Sequence, residues 1–400
     1  MVVVLVIGWF ANSVIPDPEF EAWKIRFSQL AKEQGVSAEV ATQALQGFTP
    51  DYKVLRLEAH QPEFTKPVWE YLESAVSAKR IAQGQVLLQE KADLLQRIYQ
   101  QYGVQPEYLL AIWGVESNFG RQTGDYNVIR SLATLAYAGI PERRVFWQAQ
   151  LFAALRLLEK GDIPLAAMRG SWAGAMGHTQ FIPTTFEEFA VDFDGDGKRD
   201  LINSTADALA STANYLMRSG WQRDKPWGRE VRLPANFDWS SADPDVWLPA
   251  QVWGQRGVSN VDNQQVPTEL DPAFIFLPAG YRGPAWLAFN NFSVILKYNN
   301  AQNYALAVGY LGDRIRGKPA LSAAWPLDDK PLSLTQKTEL QQLLTVMGYS
   351  TEGVDGKIGP NTRSALRRWQ MENGFPADGY ATVEQLETLQ RLTHSRSKLP

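Results

Sequence analysis

The feature that most constrains the fold is a succession of amphipathic helical segments between about residues 20 and 160. In each segment apolar residues recur at helical spacing. Ser37 is positioned as an N-cap, Pro106 lies in a first helical turn, and Gly35, Gly103 and Gly120 end helices. Strand-like patterns occur only later, in "REVRLP" and "WLAFNNFSVILKYN". The sequence therefore predicts a mainly α (α+β) fold with a small β-containing part.

The C-terminal part of the chain has a different pattern. Residues 317–332 are rich in Pro, Gly and Ser, which predicts a linker. Three short segments with helical spacing follow within residues 333–395. Two Asp-Gly turns, Asp355-Gly356 and Asp378-Gly379, give a weak internal repeat. The sequence predicts a C-terminal three-helix module.

Composition excludes several classes of function. The net charge of −4 gives no reason to expect nucleic acid or an anionic membrane as the partner. The absence of cysteine excludes disulfides, thiolate metal sites, a Cys nucleophile and a lipid-modified N-terminal Cys. The three histidines, His60, His178 and His394, lack zinc-ligand spacing, and no nucleophile elbow marks a Ser-His-Asp enzyme.

The N-terminus predicts export. Val2 to Phe10 is an apolar run too short to span a bilayer. It is typical of the apolar centre of a signal peptide, although the basic segment before it is missing. We therefore interpret residues 1–16 as an incomplete signal segment of a periplasmic protein without a transmembrane anchor. The alternative is a short buried strand.

One carboxylate stands out in the apolar segment "YLLAIWGVESNFG". Glu116 shares a helical stripe with Leu109, Ile112 and Trp113 and lies near the end of the helix. A low dielectric and the helix C-terminus would both raise the pKa of such a carboxyl, as a general acid for glycosidic cleavage requires. The alternatives are a Glu paired with a buried Arg and a Glu at an exposed helix end.

The run "RGSWAGAMGHTQFIPTTFEEFA" is rich in small residues. Small residues let the backbone approach a ligand closely, and Ser171 and Gln180 offer hydrogen bonds to it. The alternative is a tight turn that packs helices together.

The run "DFDGDGKRDLINSTAD" begins like a calcium loop. Asp192, Asp194 and Asp196 place oxygen ligands at alternate positions, with glycine at the sixth position and the Lys198 carbonyl at the seventh. The twelfth position is Asn203 instead of the usual bidentate Glu. The alternative is a solvated Asp-Gly turn.

The motifs "ESNFG" and "GAMGHTQFIPTTF" resemble those of the lytic murein transglycosylases of the membrane-bound B type, in a soluble form. The resemblance covers about Phe20 to Asp313 and implies a lysozyme-like catalytic domain, set at residues 17–316. It implies that Glu116 is the single catalytic acid and base. It also implies the following roles: Ser171, Gln180, Tyr298, Asn299 and Tyr304 contact the sugar, and Asp207 closes a structural Ca²⁺ loop formed with Asp192, Asp194, Asp196 and Lys198.

The resemblance also implies the reaction. The family cleaves the β-1,4 bond between N-acetylmuramic acid and N-acetylglucosamine and forms a 1,6-anhydro product, so the enzyme is a lyase without an organic cofactor. An aromatic residue follows the family's "RR" pair, and Phe146 and Trp147 are both candidates for it here.

The tail resembles small peptidoglycan-binding domains. The resemblance rests on Gly353, Asp355-Gly356, Gly359-Pro360, Thr362, Leu366, Trp369-Gln370 and Asp378-Gly379. It implies that Trp369 packs in the core and that the turns face the ligand. The basic run with Arg363, Arg367 and Arg368 is equally well explained as an exposed helix face. Peptidoglycan glycan strands are the expected partner, and other cell-wall enzymes are compatible ones.

Two competing functions follow from the same residues. A hydrolytic muramidase would need a second carboxylate or an ordered water opposite Glu116, and Asp125 is the nearest candidate in the sequence. A scaffold that binds the wall without cleaving it is the third hypothesis. The joint presence of Glu116, Ser171, Gln180 and Asn299 argues against the scaffold.

Overall fold

The structure, a computed structural model, describes residues 17–59, 66–261 and 269–396. The proposed signal segment lies outside these residues. Within them, the helices are α1 (Pro18–Glu33), α2 (Ala38–Leu45), α3 (Tyr52–Ala59), α4 (Val68–Ala75), α5 (Ala78–Glu90), α6 (Ala92–Tyr102), α7 (Pro106–Ser117), α8 (Val128–Ala138), α9 (Arg144–Glu159), α10 (Pro183–Phe189), α11 (Thr205–Arg218), α12 (Ala250–Gln255), α13 (Asn290–Tyr298), α14 (Gln302–Ile315), α15 (Leu334–Val346), α16 (Pro360–Glu372) and α17 (Val383–Arg396). In the described ranges, no helix has the length and apolar character needed to cross a membrane.

The strands are few and short. They are β1 (Tyr126–Asn127), β2 (Arg169–Gly170), β3 (Gly228–Arg232), β4 (Leu248–Pro249), β5 (Ser259–Asn260), β6 (Pro272–Phe276) and β7 (Ala285–Phe289). The predicted mainly α architecture with a small β part is confirmed.

Helix ends agree with the local signals in the sequence. The Ser37 side chain accepts the Val40 backbone N–H and starts α2. Gly103 ends α6 in the left-handed conformation, with φ of 72°. The predicted stop at Gly120 is preceded by the end of α7 at Ser117, because the residues between them turn away from the helix. Caps act within one turn of the chain, so the sequence alone predicts them well.

The chain forms two compact units, and each is described separately. The first contains residues up to 61 and residues 116–212. Helix α8 lies in its core, with nearly every residue from Val128 to Ala136 buried. Strands β1 and β2 pair antiparallel, with Tyr126 opposite Gly170. This short ribbon joins the chain that follows Glu116 to the glycine-rich run.

The second unit contains residues 62–115 and 213–400, and its described part holds an antiparallel five-stranded sheet in the order β4-β6-β7-β3-β5. One face of the sheet packs on a core that includes Trp253, Ile275 and Leu287.

The prediction of a strand for "WLAFNNFSVILKYN" is correct only for the first part of this segment. The chain leaves the sheet after Phe289 and continues as helix α13. A short run of apolar residues suits both a buried strand and a buried helix, so periodicity could not separate the two.

Two buried carboxylates lie in the second unit, one at the start of α7 and one in α14. Glu107 pairs with Arg316 at 3.2 Å, and Asp313 pairs with Lys318 at 2.8 Å. Asp313 also accepts hydrogen bonds from the Tyr108 hydroxyl at 3.2 Å and from the Trp227 indole at 3.2 Å. Burial raises the pKa of both carboxyls above the ordinary values.

We expect this raised pKa to make stability depend on pH. A carboxyl whose pKa is higher in the folded state contributes stability that is present below its unfolded pKa of about 4 and is lost as pH rises through the folded value. The contribution of these two carboxyls to the melting temperature of the wild type should therefore fall across that window. Asp313→Asn should remove part of the fall, whereas the exposed Asp245→Asn should retain it. Identical pH profiles for Asp313→Asn and the wild type would contradict the prediction.

The predicted linker, residues 317–332, has no helix or strand but is held in place. The Glu230 carboxylate accepts the backbone N–H groups of Ser322 and Ala323 at 2.8–3.1 Å. The ring of Trp325 lies between Trp69 and Trp286, with centroids 6.3 Å and 5.9 Å away. We call this segment the strap. It is an ordered part of the second unit, because side chains far away in sequence satisfy its backbone.

The tail module consists of helices α15, α16 and α17, as predicted. Its core contains Trp369, which is fully buried and stacks on Phe375 at 5.2 Å. The predicted core role of Trp369 is confirmed. The module also contacts the sheet-bearing part of the same unit, where Arg367 pairs with Asp243 at 2.6 Å. Of the three arginines in the basic run, Arg363 and Arg367 are partly buried and Arg368 is exposed. The interpretation of this run as an exposed helix face is therefore correct only for Arg368.

Candidate active site

Glu116 lies in the last turn of α7. The preceding residues of the helix form a buried apolar stripe, with Leu109 and Ile112 fully buried and Trp113 4% exposed. Glu116 itself is only half-buried. The helix therefore carries one carboxylate from an apolar interior to the point where the chain becomes accessible to a ligand.

The backbone turns sharply just after Glu116. Asn118, Phe119 and Gly120 have φ values of 50°, 59° and 82°, three left-handed residues in a row. Such conformations are unfavourable for residues with a side chain and persist where surrounding contacts impose them. Ser117 supplies these contacts. Its Oγ accepts the Gly120 N–H at 2.9 Å and donates to the His178 carbonyl at 2.5 Å.

Ser171 builds the loop in which it lies. Its backbone N–H donates to the Ala175 carbonyl at 2.8 Å, and its Oγ accepts the backbone N–H groups of Ala173 at 3.3 Å and Ala175 at 3.0 Å. The hydroxyl proton is not used in these bonds. Ser171 is therefore a rigid donor on a loop that it stabilises itself, a role that the motif alone did not reveal.

Gln180 links the glycine-rich run to the segment after Glu116. Its side-chain amide donates to the Thr123 carbonyl at 3.0 Å and to the Gly177 carbonyl at 2.9 Å. Gln180 is itself left-handed, with φ of 54°. Together with the bond from Ser117 to His178, these bonds bring the segments that carry Glu116 and Gln180 side by side within the first unit. The Gln180 Oε1 accepts no hydrogen bond from the residues that the structure describes.

A close backbone contact fixes Gly124 against Gly170. A Cβ added at Gly124, where φ is 90°, would lie 2.3 Å from the carbonyl carbon and oxygen of Gly170. A Cβ at Gly170 would in turn lie 2.1 Å from the Ala175 oxygen. The small residues at Gly124 and Gly170 are therefore required by backbone packing around Ser171. This supports the tight-turn alternative, and the close approach of a ligand stays a prediction.

An aromatic group lies beside Ser171. The ring centroid of Trp172 lies 6.5 Å from that of the buried Trp147. The indole N–H of Trp147 donates to the buried carboxylate of Glu58 at 2.7 Å. Arg143 lies 4.6 Å above the Trp147 ring. Of the two candidates for the family's aromatic residue, Phe146 is 43% exposed and Trp147 is buried. Sequence reasoning missed Glu58, because nothing local distinguishes it from other acidic residues on helices.

The second unit carries the other predicted sugar-binding residues. The rings of Tyr298 and Tyr304 are parallel, with their centroids 6.4 Å apart. Asn299 is exposed. Tyr215, on α11, meets Tyr298 edge-on at 5.0 Å and donates its hydroxyl to the Lys297 carbonyl at 2.5 Å. Sequence reasoning missed Tyr215, although its place in an amphipathic helix among small residues was a weak signal.

The acidic loop brings three carboxylates together. Oxygen atoms of Asp192, Asp194 and Asp196 all lie within 4.8 Å of one another, and the three side chains are exposed. The two oxygens of Asp192 accept the backbone N–H groups of Gly195 at 2.7 Å and Gly197 at 2.9 Å. Lys198 follows with its N–H bound to Asp196 at 2.9 Å. The converging hard oxygen donors fit a calcium ion, which prefers six to eight such ligands.

Asp207 lies apart from this cluster. It is fully buried, and its two oxygens accept the N–H groups of Phe193 at 2.8 Å, Asp194 at 3.3 Å and Asp200 at 2.9 Å. Burial raises the pKa of Asp207. Asp207 therefore closes the loop through hydrogen bonds to its backbone, and its role as a metal ligand stays a prediction.

The fold and the site together define a lysozyme-like enzyme with one carboxylate at the end of a buried helix. The chain belongs to the transglycosylase SLT domain family, whose sequence profile matches residues 19–313. It is a lytic transglycosylase, and a peptidoglycan binding domain profile matches residues 336–389.

Individual relatives agree with this assignment. The chain is 51% identical to SltB3 from Pseudomonas aeruginosa, solved in complex with NAG-anhNAM-pentapeptide, with a TM-score of 0.90 over 93% of this chain and 99% of the other. It is 32% identical over 247 residues to membrane-bound lytic murein transglycosylase B of Escherichia coli strain K12, a match that spans 61% of this chain and 66% of the relative. The Escherichia coli transglycosylase Slt35, solved in complex with calcium, is 27% identical with a TM-score of 0.64, over 77% of this chain and 95% of the other.

Proposed function

We propose that the protein cleaves the β-1,4 bond between N-acetylmuramic acid and N-acetylglucosamine of peptidoglycan and releases a 1,6-anhydromuramyl product. The observation that carries the proposal is the placement of Glu116, half-buried at the end of an apolar helix. The backbone beside it is held rigidly by Ser117 and Gln180. A preorganised carboxyl of this kind can deliver and recover a proton at one fixed point.

The mechanism needs only one carboxyl group. Protonated Glu116 gives its proton to the glycosidic oxygen as the bond from that oxygen to muramyl C1 breaks. The carbonyl oxygen of the substrate's 2-acetamido group stabilises the positive charge at C1. The Glu116 carboxylate then takes the proton of the muramyl C6 hydroxyl while O6 bonds to C1. Water is not consumed, and Glu116 ends in its starting form.

Five residues are proposed to hold the sugars. The free hydroxyl proton of Ser171 suits a carbonyl or ring-substituent oxygen, and Gln180 Oε1 suits an acetamido N–H. The half-buried Tyr298 offers a ring face to a sugar, and the exposed Asn299 offers an amide. Tyr304 is only 3% exposed and would act by supporting the parallel ring of Tyr298. Rigid donors and acceptors of this kind orient the reacting bond relative to the acid.

Calcium is proposed as a structural ion of the acidic loop. Asp192, Asp194, Asp196 and the Lys198 carbonyl would hold it, with Asp207 closing the loop. Its chemistry here is charge neutralisation between three neighbouring carboxylates, which keeps the loop after the Gln180 motif in one conformation. The calcium complex of the related Slt35 supports this proposal.

Calcium should stabilise the protein measurably. At a concentration of about 100 times the Kd, a ligand that binds only the folded state adds about 2.7 kcal/mol, which corresponds to a rise in melting temperature of several degrees. A chelator should reverse the rise, and Asp194→Asn should weaken it. The exposed Asp245→Asn serves as the control. An unchanged melting temperature with and without chelator, together with no binding heat in isothermal titration, would contradict the prediction.

The domain organisation and location are proposed on the same basis. Residues 17–316 form the catalytic domain, the strap spans residues 317–332, and residues 333–395 form a wall-binding domain. Wall binding raises the local concentration of substrate for an attached enzyme. A peptidoglycan substrate supports the proposal that the protein is exported to the periplasm.

Mass spectrometry of products from isolated sacculi tests the reaction directly. The proposal predicts anhydromuropeptides. Products with a reducing end would show a hydrolase, the second candidate, which would need Asp125 or an ordered water. Asp125 is exposed, and the contact that the structure gives it is made by its backbone carbonyl, which accepts from Arg169 at 3.1 Å.

A further inference from the structure

The tail module contains two turns with the same internal hydrogen bonds, and one of them is occupied. In the first, residues 377–380, the amide of buried Gln370 donates to Asp378 Oδ1 at 3.0 Å and to the Tyr380 carbonyl at 3.2 Å. It accepts the Gly379 N–H at 2.8 Å, and Asp378 Oδ1 accepts the Tyr380 N–H at 2.9 Å. We call residues 377–380 the docked turn.

The second carboxylate oxygen of Asp378, Oδ2, takes no part in the bonds within the docked turn, and we call it the outer oxygen. It binds a main-chain N–H from elsewhere in the same unit. Asp378 Oδ2 accepts the backbone N–H of Tyr281 at 2.8 Å. The residue before that N–H, Gly280, is left-handed, with φ of 67°. A Cβ of L configuration at Gly280 would lie 2.8 Å from Asp378 Oδ2. The docked turn therefore holds an N–H that follows a left-handed residue lacking an L side chain.

The second turn, residues 354–357, repeats the arrangement without an occupant, and we call it the open turn. Buried Gln341 donates to Asp355 Oδ1 at 2.9 Å and to the Lys357 carbonyl at 3.0 Å, and it accepts the Gly356 N–H at 2.7 Å. Asp355 Oδ1 accepts the Lys357 N–H at 2.9 Å. Gly356 has φ of 70°, against 69° for Gly379.

The outer oxygen distinguishes the two turns. Asp355 is exposed, and its Oδ2 accepts no hydrogen bond from any residue that the structure describes. The hydrogen bond from Gln341 lowers the pKa of Asp355, so the carboxylate is charged at neutral pH. Beside it lie Val354, 46% exposed, and the exposed ammonium group of Lys357.

We propose that the open turn binds the peptide stem of peptidoglycan, with Asp355 Oδ2 accepting a main-chain N–H that follows a D-amino acid. D-residues adopt positive φ as readily as L-residues adopt negative φ, because they are mirror images. A D-residue in the stem therefore reproduces the backbone that Gly280 presents to Asp378. Val354 offers an apolar contact to an alanine methyl group, and Lys357 offers a cation to a stem carboxylate. This inference rests on the proposed peptidoglycan substrate.

The test measures peptide binding to the full chain by isothermal titration, so it needs no catalysis. The probe is the sugar-free pentapeptide L-Ala-γ-D-Glu-L-Lys-D-Ala-D-Ala, and its counterpart ends in L-Ala-L-Ala. Asp355→Asn keeps the Oδ1 acceptor that the turn requires and replaces the outer acceptor by an NH₂ donor. Glu387→Gln, an exposed residue on α17, removes one charge from the same module and is the control.

Asp355→Asn should weaken binding of the D-Ala-D-Ala probe at least about tenfold, because a hydrogen bond to a charged group is lost and a donor faces a donor. Glu387→Gln should bind within about twofold of the wild type, and the L-Ala-L-Ala probe should bind as weakly as the Asp355→Asn complex. Equal binding by Asp355→Asn and the wild type, equal binding of both probes, or no binding by the wild type would overturn the proposal. None of these results bears on product formation, which is measured separately.

Discussion

Replacing Glu116 with Gln should lower the release of anhydromuropeptides from sacculi by about 10³-fold, within the usual range for loss of a general acid and base. Gln has nearly the same shape as Glu and keeps the packing of α7, but it can neither give nor take the proton. The rate is measured as product appearance by mass spectrometry under equal enzyme loading. Wild-type activity in Glu116→Gln would eliminate the proposed role of Glu116.

Asp125→Asn is the matched control for this variant. The two carboxylates lie nine positions apart in the same segment, and a hydrolase with two carboxylates would lose activity in both variants. The transglycosylase mechanism predicts that Asp125→Asn stays within a few-fold of the wild type. A loss in Asp125→Asn as large as in Glu116→Gln would instead support the hydrolase.

Gly124→Ala should have the largest effect on stability, although it does not touch the reacting group. The left-handed conformation costs an L side chain about 1–2 kcal/mol, and the contact with the Gly170 backbone at 2.3 Å adds about 1–3 kcal/mol. We expect a loss of about 3 kcal/mol in the free energy of unfolding, measured by denaturant titration. Activity should also fall, because the loop with Ser171 and the segment after Glu116 share this contact.

Gly161→Ala separates the two causes of this loss. Gly161 also has a positive φ, 75°, but a Cβ there would meet no atom within 4 Å. It should lose only the conformational part, about 1 kcal/mol, and retain full activity. Equal losses in the two variants would show that the contact between Gly124 and Gly170 has no energetic role.

The docking of the tail changes how wall binding can help catalysis. A flexible linker would let the module search for substrate around the enzyme. Here Glu230 and the tryptophans Trp69 and Trp286 hold the strap, and Asp378 and Arg367 hold the module. The module therefore presents the open turn in a fixed orientation relative to the sheet of its own unit.

Local features of the molecule could be predicted from the sequence. The N-cap at Ser37, the stop at Gly103 and the three tail helices each depend on residues within a few positions of one another. The prediction of a strand was wrong for residues 290–298, which form a helix, since a short apolar run does not show whether its hydrogen bonds are made within a helix or across a sheet. The motifs that identified the family are also contiguous.

By itself, the sequence determined the helical architecture, the family and the candidate carboxylate, because each of these depends on contiguous residues or on regular spacing. Only the tertiary structure decided which polar groups already form hydrogen bonds within the protein. It showed that Ser171 stabilises its own loop and that Asp378 is occupied by Tyr281 while Asp355 is open. Such bonds join residues as far apart as Tyr281 and Asp378, 97 positions, and Tyr108 and Asp313, 205 positions. They depend on how distant segments pack against one another, and this packing cannot be predicted from the local pattern of residues.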